Sequence, residues 1–210
     1  MTLVAGRYQP LEEARPGTAL RARDLQTAQT VLLRETIVAA DTAGATHARA
    51  QSATGIFHPS LVTLFDAILL DESRLLLAYE FVPAQTLAQA SGGQAFSARR
   101  AAAIVSEIAD AVAELHAREL AHGAISQATV LVTLKGKAKL DRLADPSMLR
   151  GTPTPHTDIL ALGELLRGLA GSPSSSGVAG LQALEVIINR ARLGKFESAA
   201  TLAAMLRRMT

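Results

Sequence analysis

The stretch HPSLVTLFDAILLDESRLLLAYEFVPAQTL, residues 58–87, contains two apolar runs that decide the fold. The runs LVTLFDAILL (61–70) and RLLLAYEFV (74–82) have the length and the aliphatic and aromatic content of β-strands. The polar Asp71-Glu72-Ser73 between them is typical of a turn, so we expect the two strands to pair. The polar run that follows, PAQTLAQASGGQ, indicates a crossing or hinge between two parts of the chain.

On the N-terminal side, residues 7–36 alternate short strand-like pieces with turns, which predicts a strand meander. An alanine-rich segment, 41–54, predicts one short helix. On the C-terminal side, TVLVT and KAKLD flank Lys135-Gly136 and predict a small hairpin. A last helix is predicted over about 198–209, with Ser198 as its N-cap and with Leu202, Met205 and Leu206 buried.

Three more helices are predicted because apolar residues recur at helical spacing. The three stripes are Ile104, Val105, Ile108, Val112 and Leu115; Ile159, Leu162, Leu165, Leu166 and Leu169; and Leu181, Leu184, Ile188 and Ala191. The resulting order is five strands, then a helix, a hairpin and further helices.

The composition excludes several classes of protein. Hydrophobic residues make up 49% of the 210 and charged residues 19%, as in a folded globular domain. The net charge is only +2 with no basic block along the chain, and aromatic residues are 3% with no Trp, so nucleic acid is not an expected partner. The absence of cysteine removes disulfides and thiolate sites. No apolar run reaches about 18 residues and the start lacks a signal-peptide pattern, so we expect no membrane insertion and a cytoplasmic location.

This order of elements resembles the protein kinase fold of bacterial Ser/Thr kinases, from about Gly6 to Leu206. The most specific pieces are His58-Pro59 before a strand, the hinge-like YEFVPAQTL, LHARELAH, TDILALGELL and KFESAATL. The resemblance implies an α+β, two-lobed protein kinase-like fold. Residues 1–83 would form a small antiparallel β N-lobe with one helix, and residues 84–210 a helical C-lobe with a reduced activation segment.

Matched to that family, the N-lobe half has lost its phosphate-binding groups. The glycine-rich loop keeps only Gly17, so it cannot cradle phosphates in the usual way. Arg34 stands at the position of the phosphate-binding lysine, and Leu32 occupies the small-residue position against which adenine lies. Arg49 replaces the helix glutamate that pairs with that lysine, so the ion pair of an active kinase is absent. Tyr79 belongs to the same vestigial cleft.

The C-lobe half has lost its catalytic and metal-binding groups. Ala124 replaces the general base and has no lone pair to accept a proton. Thr129 replaces the magnesium-binding asparagine, and Arg142 the magnesium-binding aspartate. Asp141 comes one residue early and on a strand would point to the other face, although a slip of one residue would bring it into register. Only 15 residues separate Arg142 from Asp158, without an Ala-Pro-Glu motif.

The groups that the resemblance retains are architectural. Asp158 matches a buried aspartate that accepts backbone N–H bonds from the catalytic loop. His122 and Leu143 would stack in an internal hydrophobic column, and Leu131 with Leu32 would form a second column that adenine normally completes. The framework is kept while the reactive groups are not.

The implied function is therefore that of a pseudokinase: no enzyme, no cofactor and no metal, acting as a protein-interaction scaffold or allosteric regulator. The expected partners are other proteins, such as an active kinase or a phosphopeptide-binding domain. The alternative is a nucleotide- or anion-binding switch, or a weak atypical ATP-dependent phosphotransferase, that uses Arg34, Arg49, Arg142 and Asp141. A third reading is phosphorylation of loop hydroxyls. These hydroxyls belong to Ser172, Ser174, Ser175, Ser176, Thr152 and Thr154.

Overall fold

The computed structural model describes residues 2–15, 17–170 and 179–210, and only the backbone of 179–181. These residues form two antiparallel sheets and six α-helices, so the predicted α+β class is confirmed. The chain divides into two compact units. The first unit comprises the described residues within 1–57, 62–82 and 143–148, and the second those within 58–61, 83–142 and 149–210.

The first unit is built on a five-stranded antiparallel sheet. Its strands are β1 (Tyr8–Pro10), β2 (Leu20–Asp24), β3 (Thr30–Ile37), β4 (Leu64–Leu69) and β5 (Arg74–Glu80), in the spatial order β1-β2-β3-β5-β4. The two apolar runs of residues 61–82 supply β4 and β5, which pair with Ala67 opposite Leu77, so the predicted pairing is confirmed. The alanine-rich segment forms α1 (Ala43–Ser52), and a short 3₁₀ helix spans Pro146–Met148.

Alternation along the strands separates the two faces of this sheet. In β3, Val31 and Leu33 are buried, whereas the alternate residues Leu32 and Arg34 are half-buried. Successive side chains of a strand point to opposite faces, so these two pairs lie on different faces. The core cluster on the face of Val31 consists of Tyr8, Ala22, Val31, Leu33, Leu76 and Ala78.

An ionic network fastens the edge of the sheet at β1. The guanidinium of Arg7 donates to both carboxylate oxygens of Asp24, at 2.7 and 2.6 Å, and to Oδ2 of Asp66 at 2.9 Å. The hydroxyl of Tyr8 donates to the same Asp66 oxygen at 3.3 Å. One arginine thereby joins the turn before β1 to the last residue of β2 and to β4.

The second unit combines a three-stranded sheet with most of the helices. Its strands are β6 (Ala84–Thr86), β7 (Val130–Thr133) and β8 (Ala138–Leu140), in the order β6-β7-β8. Its helices are α2 (Leu87–Ser91), α3 (Ala98–His116), α4 (Pro155–Ala170), α5 (Ala179–Arg192) and α6 (Ala199–Arg207). The strands β7 and β8 pair antiparallel, which confirms the predicted hairpin.

Helical periodicity predicted the buried faces of these helices. All five residues of the first stripe are buried in α3, and all five of the second are buried in α4. In α5, Leu184, Ile188 and Ala191 are buried, while the side chain of Leu181 lies outside the described residues.

The last helix has the predicted cap. Ser198 Oγ accepts a hydrogen bond from the backbone N–H of Thr201 at 3.2 Å, so α6 begins at Ala199. Leu202 and Leu206 are buried and Met205 is half-buried.

The polar run after β5 contains regular structure that its composition did not predict. We expected only a crossing or hinge, but this run forms β6 and α2. Thr86 Oγ1 accepts from the backbone N–H of Gln89 at 3.2 Å, and Gln89 Oε1 accepts from the backbone N–H of Thr86 at 3.0 Å. This reciprocal capping box, together with the full burial of Leu87, stabilises a helix of only five residues.

Within the described ranges, no helix combines the length and the hydrophobicity needed to cross a membrane.

Candidate functional site

Asp158 is the organising carboxylate of the second unit. It lies in the first turn of α4 and is fully buried. Its Oδ2 accepts from the backbone N–H of His122 and its Oδ1 from the backbone N–H of Gly123, both at 2.8 Å. His116 Nε2 lies 3.0 Å from Oδ2, and because a carboxylate accepts, this nitrogen is the donor. The loop that begins at residue 122 is therefore fastened to α4 and, through His116, to the end of α3.

His122 is a structural histidine held by backbone groups. The residue is fully buried, its Nε2 donates to the backbone oxygen of Asp141 at 2.9 Å, and its Nδ1 accepts from the backbone N–H of Ala124 at 3.2 Å. One donating and one accepting nitrogen correspond to a neutral imidazole. Both ring nitrogens are thus used to shape the loop.

The position matched to the general base carries only a methyl group, and the neighbouring hydroxyl serves the backbone. Thr129 is fully buried, and its Oγ1 donates to the backbone oxygen of Ala124 at 2.6 Å. Thr129 Oγ1 also accepts a hydrogen bond from the backbone N–H of Ser126 at 2.9 Å. The loop between Ala124 and Thr129 is therefore closed by its own hydrogen bonds, and the Thr129 hydroxyl is a structural element of it.

Asp141 and Arg142 follow the end of β8 and are not strand residues, which corrects one expectation. We expected them to point to opposite faces of a strand, but β8 ends at Leu140 and Arg142 has a φ of 69°, in the left-handed region. Asp141 donates its backbone N–H to the oxygen of Thr129 at 2.8 Å. Its side chain is 7% exposed, and Oδ2 lies 4.0 Å from Nε of Arg142. A buried carboxylate next to a guanidinium is thus present at this turn.

In the first unit, Leu32 and Arg34 project from the same face of β3. Leu32 lies opposite Tyr79 and Arg34 opposite Leu77 in the register of β3 with β5. Tyr79 is fully buried, and its hydroxyl donates to the backbone oxygen of Leu143 at 2.8 Å. Leu143 is 1% exposed and belongs to the first unit. His122, which we expected to stack with Leu143, belongs to the second unit.

Gly17, Arg49 and Leu131, the other residues that the resemblance singled out, take no part in the hydrogen bonds described above. Gly17 has a φ of 73°, and a Cβ built on it meets no atom within 4 Å, so its loop makes no close approach there. Arg49 lies in the last turn of α1 and is half-buried. Leu131 is half-buried on β7, opposite Thr86 and Lys139.

The sequence reasoning missed His116. Two features of the sequence could have pointed to His116. It lies in the last turn of a predicted helix, where the helix dipole favours a cation, and it comes six residues before His122. Its partner Asp158 is 42 residues away in sequence, so spacing alone could not pair them.

Two of the loop hydroxyls considered for phosphorylation are described. Thr152 is exposed. Thr154 Oγ1 accepts from the backbone N–H of Thr157 at 3.1 Å and so serves the start of α4. The serines between residues 172 and 176 lie outside the described residues.

Gly123 has no room for a side chain. Its φ is 77°, and a Cβ would lie 2.5 Å from Pro153 Cβ and 2.9 Å from Leu149 Cδ2. Gly123→Ala should lower the free energy of unfolding of the second unit by about 1 to 3 kcal/mol through overpacking, beyond the backbone strain. Urea unfolding followed by circular dichroism measures this loss.

Gly93→Ala is the matched control for that substitution. Gly93 has a φ of 80°, but a Cβ there meets no atom within 4 Å, so only the backbone strain of about 1 to 2 kcal/mol remains. Equal losses in the two variants would show that the contact of Gly123 with Pro153 does not constrain the loop.

Among the described residues, no three His, Asp or Glu side chains are grouped in a way that could hold a metal ion. No protein-family model matches the sequence, and a comparison with curated proteins returns no match.

Proposed function

We propose that the chain is a catalytically inactive kinase-like domain, a pseudokinase, that acts through protein–protein interaction as a scaffold or an allosteric regulator in the cytoplasm. The five-stranded sheet and α1 are assigned to the N-lobe of a two-lobed kinase-like fold, and the helices of the second unit to its C-lobe. The order of the elements and the quoted motifs support this assignment. The fold by itself does not establish the function, which is argued from the site.

The observation that carries the proposal is the loop from His122 to Thr129. Asp158 holds its backbone with two N–H bonds of 2.8 Å, and Thr129 closes it internally. A methyl group, that of Ala124, stands where a general base would have to accept a proton. The hydrogen bonds that shape the loop are therefore kept, while the group that would act on a substrate is missing.

The expected loss of rate follows from the sum of the substitutions. Removal of a general base alone costs about 10²- to 10⁴-fold in rate. Phosphoryl transfer depends further on metal ions and on cations that neutralise developing charge, and the matched metal positions are Thr129 and Arg142. A guanidinium at a metal position repels Mg²⁺, so the losses reinforce one another.

The first unit supports the same proposal. Leu32 places an isobutyl group on the face of β3 that also carries Arg34, at the position where a kinase leaves room for adenine. The loop around Gly17 has one glycine where close backbone approach to phosphates needs several. Nucleotide is therefore expected to bind weakly or not at all.

A phosphotransfer assay tests the proposal directly. Purified protein is incubated with labelled ATP, Mg²⁺ or Mn²⁺ and generic protein substrates, and no transfer above the background of a mock purification is expected. Arg34→Ala and Asp141→Asn serve as controls. Activity that both substitutions leave unchanged identifies a contaminating kinase, whereas activity that either abolishes contradicts the proposal.

A nucleotide- or anion-binding switch is the second candidate, with Arg142 as the group that would bind phosphate and the neighbouring buried carboxylate of Asp141 as the group that would hold the accompanying Mg²⁺. A ligand at 100 times its dissociation constant stabilises a protein by about 2.7 kcal/mol, which a thermal-shift assay detects. No shift with millimolar ATP or inorganic phosphate, with or without Mg²⁺, favours the scaffold. A shift that Asp141→Asn removes favours the switch.

The proposed partners are other proteins, including an active kinase that modifies a loop hydroxyl or a domain that binds the resulting phosphopeptide. Mass spectrometry of the protein from its native cell identifies such modifications. Thr152 is the better candidate of the two described threonines, because its side chain is exposed whereas the hydroxyl of Thr154 accepts a hydrogen bond at the start of α4.

A further inference from the structure

One corner of the second unit is built from segments that contain no acidic residue. The 26 residues 81–106 and the 21 residues 120–140 contain no Asp or Glu, although the chain has 19 in its 210 residues. The same segments contain five basic residues: Arg99, Arg100, Lys135, Lys137 and Lys139. They supply β6, α2, the first turns of α3, and the β7–β8 hairpin. The chain has no basic block in sequence, but the fold brings these separated residues into one unit.

A direct contact joins the two basic segments. Arg100 Nη2 donates to the backbone oxygen of Gly136 at the tip of the hairpin, at 2.6 Å. Arg99, its neighbour in the first turn of α3, is exposed, as is Lys135 beside Gly136. We call Arg99, Arg100, Leu134 and Lys135 the basic corner.

Arg100 has a structural contact with Gly136, but the charges of Arg99 and Lys135 are not explained by the stability of the unit. The N-terminus of a helix favours negative charge, yet the first turn of α3 has no acidic residue and carries two arginines. Elsewhere in the hairpin the basic residues have local partners: Lys137 Nζ lies 3.2 Å from Glu107 Oε1, and Lys139 Nζ donates to the backbone oxygen of Leu61 at 3.2 Å. The excess positive charge is therefore concentrated at Arg99 and Lys135.

An apolar pocket opens beside this charge. It has a volume of about 390 Å³ and no charged residue in its lining. Its apolar lining residues are Pro83, Ala84, Ala90, Val132 and Leu134. Leu134 forms its rim at the hairpin tip and is 94% exposed. A single exposed leucine is ordinary. Here Leu134 lies at the rim of an apolar pocket and next to Lys135, so the pocket and the basic side chain together form one surface that is both apolar and basic.

We propose that the basic corner and this pocket dock an acidic segment of a partner protein, with one aliphatic side chain of that segment seated in the pocket. Charge complementarity selects the acidic partner and steers its approach. A concave apolar pocket next to the charge favours a peptide side chain over a flat lipid surface. Nucleic acid is disfavoured because no aromatic side chain lines the pocket for stacking on bases.

This inference rests on the proposed function only in that the domain works by binding proteins. The two proposals are tested by different measurements. Phosphate transfer in the phosphotransfer assay would contradict the proposed function, whereas the absence of specific peptide binding would contradict the docking surface.

The test is a selection of random 12-residue peptides on the full chain, with counter-selection on the double variant Leu134→Ser/Lys135→Glu. Both substituted residues are exposed at the tip of a hairpin, so folding should be unaffected. Enriched peptides are expected to be acidic and to share a Leu, Ile or Val. By fluorescence anisotropy they should bind the double variant about tenfold or more weakly, and their affinity for the unmodified chain should fall with added salt.

The matched control is Leu193→Ser/Lys195→Glu, which makes the same chemical changes at exposed residues after α5. It should bind the selected peptides like the unmodified chain. The proposal is overturned if counter-selection leaves no enriched peptide, if the enriched peptides lack acidic residues, or if the two double variants bind equally. Binding to phosphatidylserine vesicles through Leu134 and Lys135, without peptide binding, would assign the surface to lipid and would also overturn it.

Discussion

Asp158→Ala is expected to lower the free energy of unfolding of the second unit by about 3 to 5 kcal/mol, because it removes the buried acceptor of three hydrogen bonds, at about 1 to 3 kcal/mol each. The carboxylate is fully buried and accepts the backbone N–H groups of His122 and Gly123 and the Nε2 proton of His116. An alanine removes the carboxylate acceptor that all three donors share. Each orphaned buried donor carries its own desolvation penalty.

Asp158→Asn should lose nearly as much. The amide keeps the shape of the carboxylate but has one accepting oxygen, so its NH₂ group faces either the N–H of His122 or that of Gly123. A loss of similar size in both variants assigns the effect to the number of acceptors and excludes a cavity as the main cause.

The two units can be followed separately in these experiments. Both tyrosines of the chain, Tyr8 and Tyr79, lie in the first unit, and there is no Trp. Tyrosine fluorescence therefore reports on the first unit, while far-ultraviolet circular dichroism reports mainly on the helices of the second. Asp110→Ala is the control, because the pair of Asp110 with Arg207 is exposed and should contribute no more than about 1 kcal/mol. Asp158→Ala unfolding at the same urea concentration as this control would contradict the assigned role of the carboxylate.

The second large effect is expected from Asp24→Ala in the first unit, again a loss of about 3 to 5 kcal/mol. The Asp24 side chain is 3% exposed and accepts two hydrogen bonds from Arg7, one from Thr27 Oγ1 at 2.7 Å and one from the backbone N–H of Gln26 at 2.9 Å. Its removal leaves the Arg7 guanidinium, 23% exposed, with Asp66 alone as an anionic partner.

Urea unfolding followed by tyrosine fluorescence measures this loss. Glu35→Ala is the matched control in the same sheet, because Glu35 and Arg74 are about half exposed and lie 3.4 Å apart. It should change the stability by no more than about 1 kcal/mol. Equal stability of the two variants would show that the network does not hold β1 and β2 together.

The same network sets the pH dependence of the first unit. The Arg7 guanidinium, with the Thr27 hydroxyl and the Gln26 N–H, holds the pKa of Asp24 well below its usual range. In the unfolded chain that pKa is about 3.9, so the stabilising contribution is present above it and is lost as the pH falls below about 4. The advantage of the unmodified chain over Asp24→Asn should therefore shrink between neutral pH and pH about 3. A constant advantage would contradict the ionic account.

Tyr8 extends this dependence to alkaline pH. Burial, and after it the negative charge of Asp66, raise the pKa of the Tyr8 phenol well above its usual value of about 10. Stability from the protonated phenol is present below that value and is lost as the pH rises toward the higher folded pKa. In Tyr8→Phe, alkaline destabilisation of the first unit should begin at higher pH than in the unmodified chain.

Local patterns predicted most of the regular structure, because each depends on neighbours within a few residues. Helical spacing placed Ile108 of α3 and Leu162 of α4 in the core, and a serine after a break in the apolar pattern placed the start of α6 at Ala199. The same reasoning failed for β6 and α2. Their polar composition resembles a hinge, and the burial of Leu87, the pairing of β6 with β7 and the capping box of Thr86 and Gln89 make them ordered.

In the candidate site, too, the chemistry of the residues follows from the sequence, whereas the backbone conformation does not. Ala124 has no group that accepts a proton, and Arg142 is a cation. Their assignment to kinase positions belongs to the proposed function. The conformation at Arg142 does not follow, since the strand ends one residue earlier than Asp141 and the chain turns through a left-handed φ.

The sequence by itself determined the chemical inventory of this protein and the periodicities of its strands and helices, because both are local. The tertiary structure alone decided which polar groups meet: His116 with Asp158, Arg7 with Asp24 and Asp66, and Arg100 with the backbone oxygen of Gly136. These partners are separated by 17 to 59 residues, and the folded backbone is what brings them within hydrogen-bonding distance.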